Sequence, residues 1–421
     1  MQRESCIGRI DGIEMNNAEE QKLQRSKPHI CLYIGSLQKG GAERVMTNLA
    51  EHLYVQGWQV TMVTTYFRPP EYALPHGLWD ASTGEPYGEE CETVSWGRQR
   101  SAQIQPAGIR RIYSDPPQEE LEKGRLHGFR TRYRILRSIW EQEKPDIILS
   151  FIGYNNIFAL LTSRGLGIPV AVSVRSNPSR EYASRKLRIP AMALFRQAAG
   201  VILQTEEAKR FFPEAIQRKA CILPNALNLD FIRPVYEGER TCEVVSVGRL
   251  DENKNEALLL RAFAGTREQH PEYVLRLYGD GQARKSLEAL TQELGMTDCV
   301  VFEGVVDQVR TRIERSRIYV LSSKEEGMPN ALLEAMSAGL ACVSTDCPCG
   351  GPRELITHGR NGLLVPVDDV PAMTAALLQL MEHPEDARQM GMEASRVQET
   401  YNLEAVNRRW EEYLAGLTKV K

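Results

Sequence analysis

Residues 325–340 read EEGMPNALLEAMSAGL, and residues 317–323 just before them read RIYVLSS. The earlier run is apolar and rich in strand formers, the text of a buried strand, whereas Asn330 followed by ALLEAM predicts a capped helix ending near Gly339. Pro329 forbids one continuous helix through both Glu326 and Glu334. Glu326 is therefore expected on the turn and Glu334 one turn inside the helix, so that two carboxylates face one crevice at the carboxyl end of a strand. Ligands bind at that place in open parallel sheets. Carboxylates accept hydrogen bonds from vicinal hydroxyls, and free N–H groups at a helix start hold phosphate. The pair suits a ligand with hydroxyl-rich rings on both sides of a diphosphate, next to the backbone of Gly327, Met328, Pro329 and Asn330. A solvated helix face is the plainer alternative for two glutamates at this spacing.

Working outward, the same grammar of short apolar strand, turn and helix recurs along the chain. It opens at residues 29–66 with HICLYIGS, the turn LQKGG, the helical AERVMTNLAEHLYVQG and the strand WQVTMVTTY. Residues 67–120 carry Pro69, Pro70, Pro75, Pro86, Pro106, Pro116 and Pro117 among polar text, and predict an insertion or long surface loop. Alternation resumes with PDIILSFIG, IPVAVSV and AGVILQT, and breaks again at a proline-bounded linker between Pro224 and Pro234. A second series starts at CEVVSVGRL, residues 242–250, and runs through YVLRLYGDG, CVVFEGVV, ACVSTDCP and GLLVPVD. The reading is an α/β chain of two Rossmann-like parallel-sheet domains facing across a cleft, over 29–228 and 229–401. A mobile tail is expected over 1–28, and a C-terminal helix over 402–421 that returns to the first domain. One larger doubly wound sheet is the alternative.

The whole-chain quantities limit the function classes. At 421 residues the chain is too long for one ordinary core, which suits two domains. With 52 basic and 55 acidic residues the net charge of −3 supplies no global field for nucleic acid, so a nucleic-acid partner is not expected. The nine cysteines are odd in number and scattered, which fits reduced thiols in a cytoplasmic protein. Cys347 and Cys349 flank Pro348 without a metal-ligand spacing, so no metal site is expected. No apolar run reaches the roughly 18 to 20 residues of a membrane span.

Three further motifs bear on chemistry. In VVSVGRLDENKN, Arg249 and Lys254 stand in the turn leaving a buried strand, where a guanidinium fork and an ammonium can clamp a diphosphate; two solvated cations are the alternative. The turns LYGDG and FEGVV offer Gly279, Gly304 and Val306 for close approach of a base. GSLQKGGAERV matches neither a dinucleotide fingerprint nor a P-loop, yet its double glycine at Gly41 opens a helix toward an anion. The stretch SREYASRKLRIPAMALFRQ places Arg180, Arg185, Lys186 and Arg188 among Tyr182, Leu187 and Ile189, a pattern that suits either an anionic lipid surface or a solvated face.

Taken together, GGAERV, VGRLDENKN, the glutamate pair, GGPREL (residues 350–355) and NGLLVPVD (residues 361–368) resemble glycosyltransferase family 4, group 1 retaining enzymes of GT-B fold, over residues 29 to 415. The resemblance implies that Glu326 contacts the donor sugar and Glu334 the ribose hydroxyls, and that Arg249 and Lys254 hold the diphosphate. It also implies assistance from the backbone at Gly327 and Gly41. GRLDENKN and the basic segment further resemble bacterial N-acetylgalactosaminyltransferases that extend undecaprenyl-diphosphate-linked glycans. That implies Arg180, Arg185, Lys186 and Arg188 on the acceptor side. Many relatives carry a His where VSVRSNP has Arg175, and an arginine cannot act as a general base.

The implied reaction is transfer of a hexose or N-acetylhexosamine, GalNAc as the first choice, from a UDP-sugar to a lipid-linked or growing bacterial glycan. It needs no metal cofactor and includes peripheral contact with the inner face of an anionic membrane. The alternatives are a sugar-nucleotide epimerase or phosphorylase on the same fold, or a non-catalytic nucleotide-sugar-binding partner in a glycan assembly complex.

Overall fold

The computed structural model describes residues 27–38, 40–76 and 108–418. The expected tail over 1–28 lies outside the described residues except for Lys27 and Pro28. Two parallel sheets organise the described chain. The first is built from β1 (His29–Ile34), β2 (Gln59–Thr64), β3 (Arg110–Tyr113), β4 (Ile147–Phe151), β5 (Val170–Ser173), β6 (Gly200–Leu203) and β7 (Ala220–Ile222) in the order 3-2-1-4-5-6-7. The second contains β8 (Thr241–Val247), β9 (Val274–Tyr278), β10 (Val300–Gly304), β11 (Ser316–Leu321), β12 (Ala341–Thr345) and β13 (Leu363–Val365) in the order 10-9-8-11-12-13. Strand order reverses between β1 and β4 in one sheet and between β8 and β11 in the other, so each sheet has a crevice at a switch point.

The inner strands are apolar on both faces because helices cover both. In β11, Ile318 and Val320 enter the core with Leu259 and Leu277, while Tyr319 and Leu321 turn to the side of Leu332 and Met336. The last helix, Leu403–Thr418, returns to the first sheet, where Val406, Trp410 and Leu414 pack with Leu49, Leu149 and Phe151. Fully burying each of these large apolar side chains contributes about 1.5–3 kcal/mol.

Within the expected insertion over 67–120 stands the parallel edge strand β3, and the short helix Gln118–Glu122 begins at its end. Residues 77–107 lie outside the described residues. A strand that reads RRIY hides its character, since Arg111 is buried and paired with Glu71 at 2.6 Å.

Candidate active site

A cavity of about 710 Å³ lies where the carboxyl ends of the two sheets face each other. Its walls come from the segments that follow β1 (Gly40, Gly41, Arg44), β2 (Tyr72), β5 (Arg175), β6 (Gln204), β7 (Asn225), β8 (Arg249, Asn253, Lys254) and β11 (Glu326 to Glu334). Glu326 and Lys254 meet here. The Lys254 ammonium lies 2.6 Å from Glu326 Oε1, which also accepts a hydrogen bond of 2.7 Å from the Ser323 hydroxyl. Burial disfavours the Lys254 charge, but the Glu326 carboxylate outweighs it and holds the pKa above the ordinary lysine value. Asp251 shapes the preceding turn by accepting from the backbone N–H of Asn253 and Lys254 and from Arg249 Nε. Arg249 is thereby tethered at the rim with its side chain 78% exposed, free to swing toward an anion.

Glu334 lies across the cavity on the helix Asn330–Ser337, and Arg44 from the first sheet's helix Gly41–Val55 reaches it at 2.8 Å. Burial raises the Glu334 carboxyl above its ordinary range, with Arg44 pulling the other way. The expectation that Asn330 caps this helix is corrected: Pro329 holds the cap position without a side-chain acceptor, and Asn330 is the first helical residue. Its Oδ1 instead accepts from Asn225 Nδ2 at 2.8 Å. Gly40, the cap of the helix Gly41–Val55, also lacks a side-chain acceptor. The two helix starts face each other closely, since a Cβ on Gly41 would stand 3.1 Å from Asn330 Nδ2. Two sets of unsatisfied N–H groups with Lys254, Arg249 and Arg44 make the cavity a site for a polyanion.

Arg175 lines the same cavity. Its guanidinium lies over the rings of Phe151 and Trp410 and donates to the Leu223 carbonyl and to Asn225 Oδ1. Burial lowers its pKa to about 9, so it stays cationic near neutrality. Because a guanidinium only donates, Asn225 must turn its oxygen to Arg175 and its amide nitrogen to the Met328 carbonyl and Asn330. Arg175 therefore fixes the joint between the two sheets.

Several expected residues lie elsewhere. Gly279, Gly304 and Val306 are not among the lining residues; Gly279 N–H donates to the Gly304 carbonyl at 2.7 Å, and a Cβ on Gly279 would fall 1.8 Å from the Gly248 carbonyl oxygen. Gly279 is thus required by the crossing Gly248 backbone, whereas a Cβ on Gly304 would meet nothing nearer than the Arg284 side chain at 3.7 Å. Arg185, Lys186 and Arg188 sit on the exposed side of the helix Arg185–Phe195, and with Arg180 they are absent from the cavity wall. Arg180 stands nearer the cleft, 3.5 Å from Asn253 Oδ1. Arg44, Gln204, Asn225, Tyr72 and Asn253 are among the lining residues that were not expected there. One signal for Arg44 is available in the text, because a cation in the first turn opposes the helix dipole and needs a partner to hold it.

Cys347 and Cys349 are buried free thiols whose pKa values burial pushes up to about 12 and about 11. Among the described residues no group of three His, Cys, Asp or Glu side chains is placed to hold a metal.

The two halves of the chain match two family models, "Glycosyl transferase 4-like domain" over residues 40–226 and "Glycosyl transferases group 1" over residues 231–397. The chain belongs to the group 1 glycosyltransferases. A Campylobacter jejuni protein named as an N-acetyl-D-galactosaminyltransferase acting on a GalNAc-containing diNAcBac-PP-undecaprenol is 29% identical over 263 residues, 61% of this chain and 70% of that protein. An uncharacterized glycosyltransferase of Methanocaldococcus jannaschii is 26% identical over 340 residues, 68% of this chain and 82% of the other. Anabaena HepE in complex with UDP and glucose shares the fold with a TM-score of 0.72 at 16% identity, covering 92% of this chain and all of that one. The glycosyltransferase thus has the GT-B fold, two Rossmann-like domains with the cavity between them.

The enzyme's turn at Glu326 depends on a tight crossing of backbones. A Cβ on Gly351 would stand 1.4 Å from the Gly327 carbonyl oxygen, so Gly351→Ala must displace that loop. Activity is expected to fall at least about tenfold and stability by about 1–3 kcal/mol, checked by initial rates and denaturant unfolding.

Proposed function

We propose that this glycosyltransferase moves a hexose or N-acetylhexosamine, GalNAc as the first choice, from a UDP-sugar to a hydroxyl of a lipid-linked or growing bacterial glycan with retention of configuration. The observation that carries the reading is the Lys254–Glu326 pair at 2.6 Å in a cavity closed by two uncapped helix starts. Glu326 contacts the donor sugar, and Glu334 takes the ribose hydroxyls through its solvent-facing oxygen. Lys254 and Arg249 neutralise the departing diphosphate, helped by the N–H groups at Gly41 and after Gly327. The anomeric C–O bond to the diphosphate breaks as the acceptor oxygen attacks from the same face, and the acceptor proton passes to the leaving phosphate oxygen. That route needs no side-chain base, which accommodates Arg175. It also needs no metal, because Lys254, held beside Glu326, and the mobile Arg249 can offset the charge that develops.

The names of two Campylobacter jejuni relatives, both N-acetylgalactosaminyltransferases acting on undecaprenol-linked glycans, support the choice of sugar and acceptor. The acceptor side also has a surface suited to an anionic membrane at the cytoplasmic face. Arg185, Lys186 and Arg188 are exposed on one helix with Ile189, itself 69% exposed, and Leu126, Phe129 and Tyr154 are exposed on helices nearby. Among the described residues no helix is long and apolar enough to cross a membrane.

A thermal-shift panel of nucleotide sugars tests the donor. UDP and UDP-N-acetylhexosamines are expected to stabilise the protein by about 2.7 kcal/mol at a hundredfold excess over Kd, with turnover unaffected by EDTA. Preferential stabilisation by GDP-mannose would overturn the donor assignment, and loss of turnover in EDTA would overturn the metal-free one.

A further inference from the structure

We infer that Arg44, from the domain opposite the nucleotide, is a positioning residue for donor binding: its ion pair with Glu334 keeps that carboxylate charged and turned to receive the vicinal hydroxyls of the nucleoside. The inference rests on the donor reading above and goes beyond it in making the first domain part of the nucleoside site. The ion pair spans the cleft at 2.8 Å, and both side chains are largely enclosed, 19% and 12% exposed. The two carboxylate oxygens differ. Glu334 Oε1 is buried, lies against Arg44 without an aligned hydrogen bond, and has no other partner. Oε2 is not among the buried unpartnered atoms and makes no hydrogen bond among the described residues, so it keeps contact with the cavity.

A carboxylate held in this way by one oxygen presents the other to a ligand. Two vicinal hydroxyls can then donate to it without displacing the guanidinium. The arrangement also needs the charge. Asp230 opposes the charge of Glu334, the phenols of Tyr72 and Tyr319 lie nearby, Lys254 and Arg249 line the same cavity, and Arg44 is the cation in direct contact with it at 2.8 Å. Burial already favours the protonated acid, and Arg44 works against that tendency. Without Arg44, Glu334 would take up a proton at higher pH, and a protonated carboxyl loses acceptor capacity for the diol.

The test is isothermal titration of the full chain with UDP and with 2′,3′-dideoxy-UDP across the pH range in which the protein remains folded. Arg44→Met is expected to weaken UDP about tenfold or more, the cost of a charge-assisted hydrogen bond, and to weaken the dideoxy analogue little. The loss should grow as pH falls, because the ionised form of Glu334 is present above its pKa and that pKa has moved up. Arg44→Lys should restore most of the affinity and flatten the pH profile. Equal weakening of both ligands, or an unchanged pH profile in Arg44→Met, would overturn the inference, since a purely structural loss would not discriminate the diol. Glu334→Gln separates the two claims: if it leaves UDP affinity unchanged, the assignment of Glu334 to the ribose fails irrespective of Arg44. Melting curves with and without ligand confirm that each variant folds.

Discussion

Lys254→Ala is expected to lower the rate of sugar transfer by roughly 10² to 10³, the largest single effect in this molecule on activity. The ammonium is held 2.6 Å from Glu326, and the turn around Asp251 fixes the Lys254 main chain. It therefore meets the leaving diphosphate without reorganisation, which is the condition under which a charge acts most strongly on a transition state. Removing it also leaves the Glu326 carboxylate with the Ser323 hydroxyl as its remaining hydrogen-bond partner among the described residues. Glu326→Gln removes the charge at the sugar side and keeps the shape. It too should reduce transfer strongly while the melting temperature changes little. The measurement is UDP release with and without acceptor, using the best donor of the panel. If both variants release UDP at the parent rate, neither residue acts at the reacting bond. Arginine at position 254 should not rescue, because its planar fork cannot occupy the place of a compact ammonium beside Glu326.

The strands legible in the text are those whose pattern is set locally. In β11, residues buried on both faces leave an unbroken apolar run, and the following Pro329 punctuates the turn. Glu326 and Lys254 are legible for the same reason, since each stands in the turn that leaves a buried strand. Gly279 has the same local signature, yet it packs a strand end. A glycine turn is required equally by a ligand and by a crossing backbone, and here the Gly248 carbonyl occupies the space. Gln204 and Asn225 acquire their roles from contact with the opposite domain, a relation that no window of sequence contains, and for Arg44 the sequence hints at a partner without saying which. Asn330 shows the limit within one residue: its type suits a helix cap, but Asn225 takes its oxygen and moves it into the first turn.

The least legible strand, β3, yields the largest expected effect on stability. Glu71→Ala is expected to cost about 3–5 kcal/mol, the magnitude for breaking one side of a buried ion pair. Glu71 and Arg111 side chains are 0% and 1% exposed, so neither charge has water to fall back on. Glu71 Oε1 accepts from the backbone N–H of Leu37 and Arg68, Oε2 accepts from Arg111, and Arg111 Nε donates to Thr64 Oγ1. Alanine would leave a buried guanidinium and two N–H groups unmatched. Trp58, Trp140 and Trp410 all pack in the first domain, so tryptophan fluorescence during denaturant unfolding reads the loss there. Replacing both partners by apolar residues, Glu71→Leu with Arg111→Met, should recover most of it, because no charge then stays buried alone. An unfolding midpoint for Glu71→Ala equal to the parent's would show that the pair carries no such weight. The same substitution reaches the active site. Glu71 ties down Leu37, and Leu37 accepts the backbone N–H of Tyr72, so this one carboxylate holds both the segment leading to Gly40 and Gly41 and the cavity wall at Tyr72. The KM for the nucleotide sugar should therefore rise in Glu71→Ala and remain raised in the apolar double variant, where stability returns but the tie to Leu37 does not.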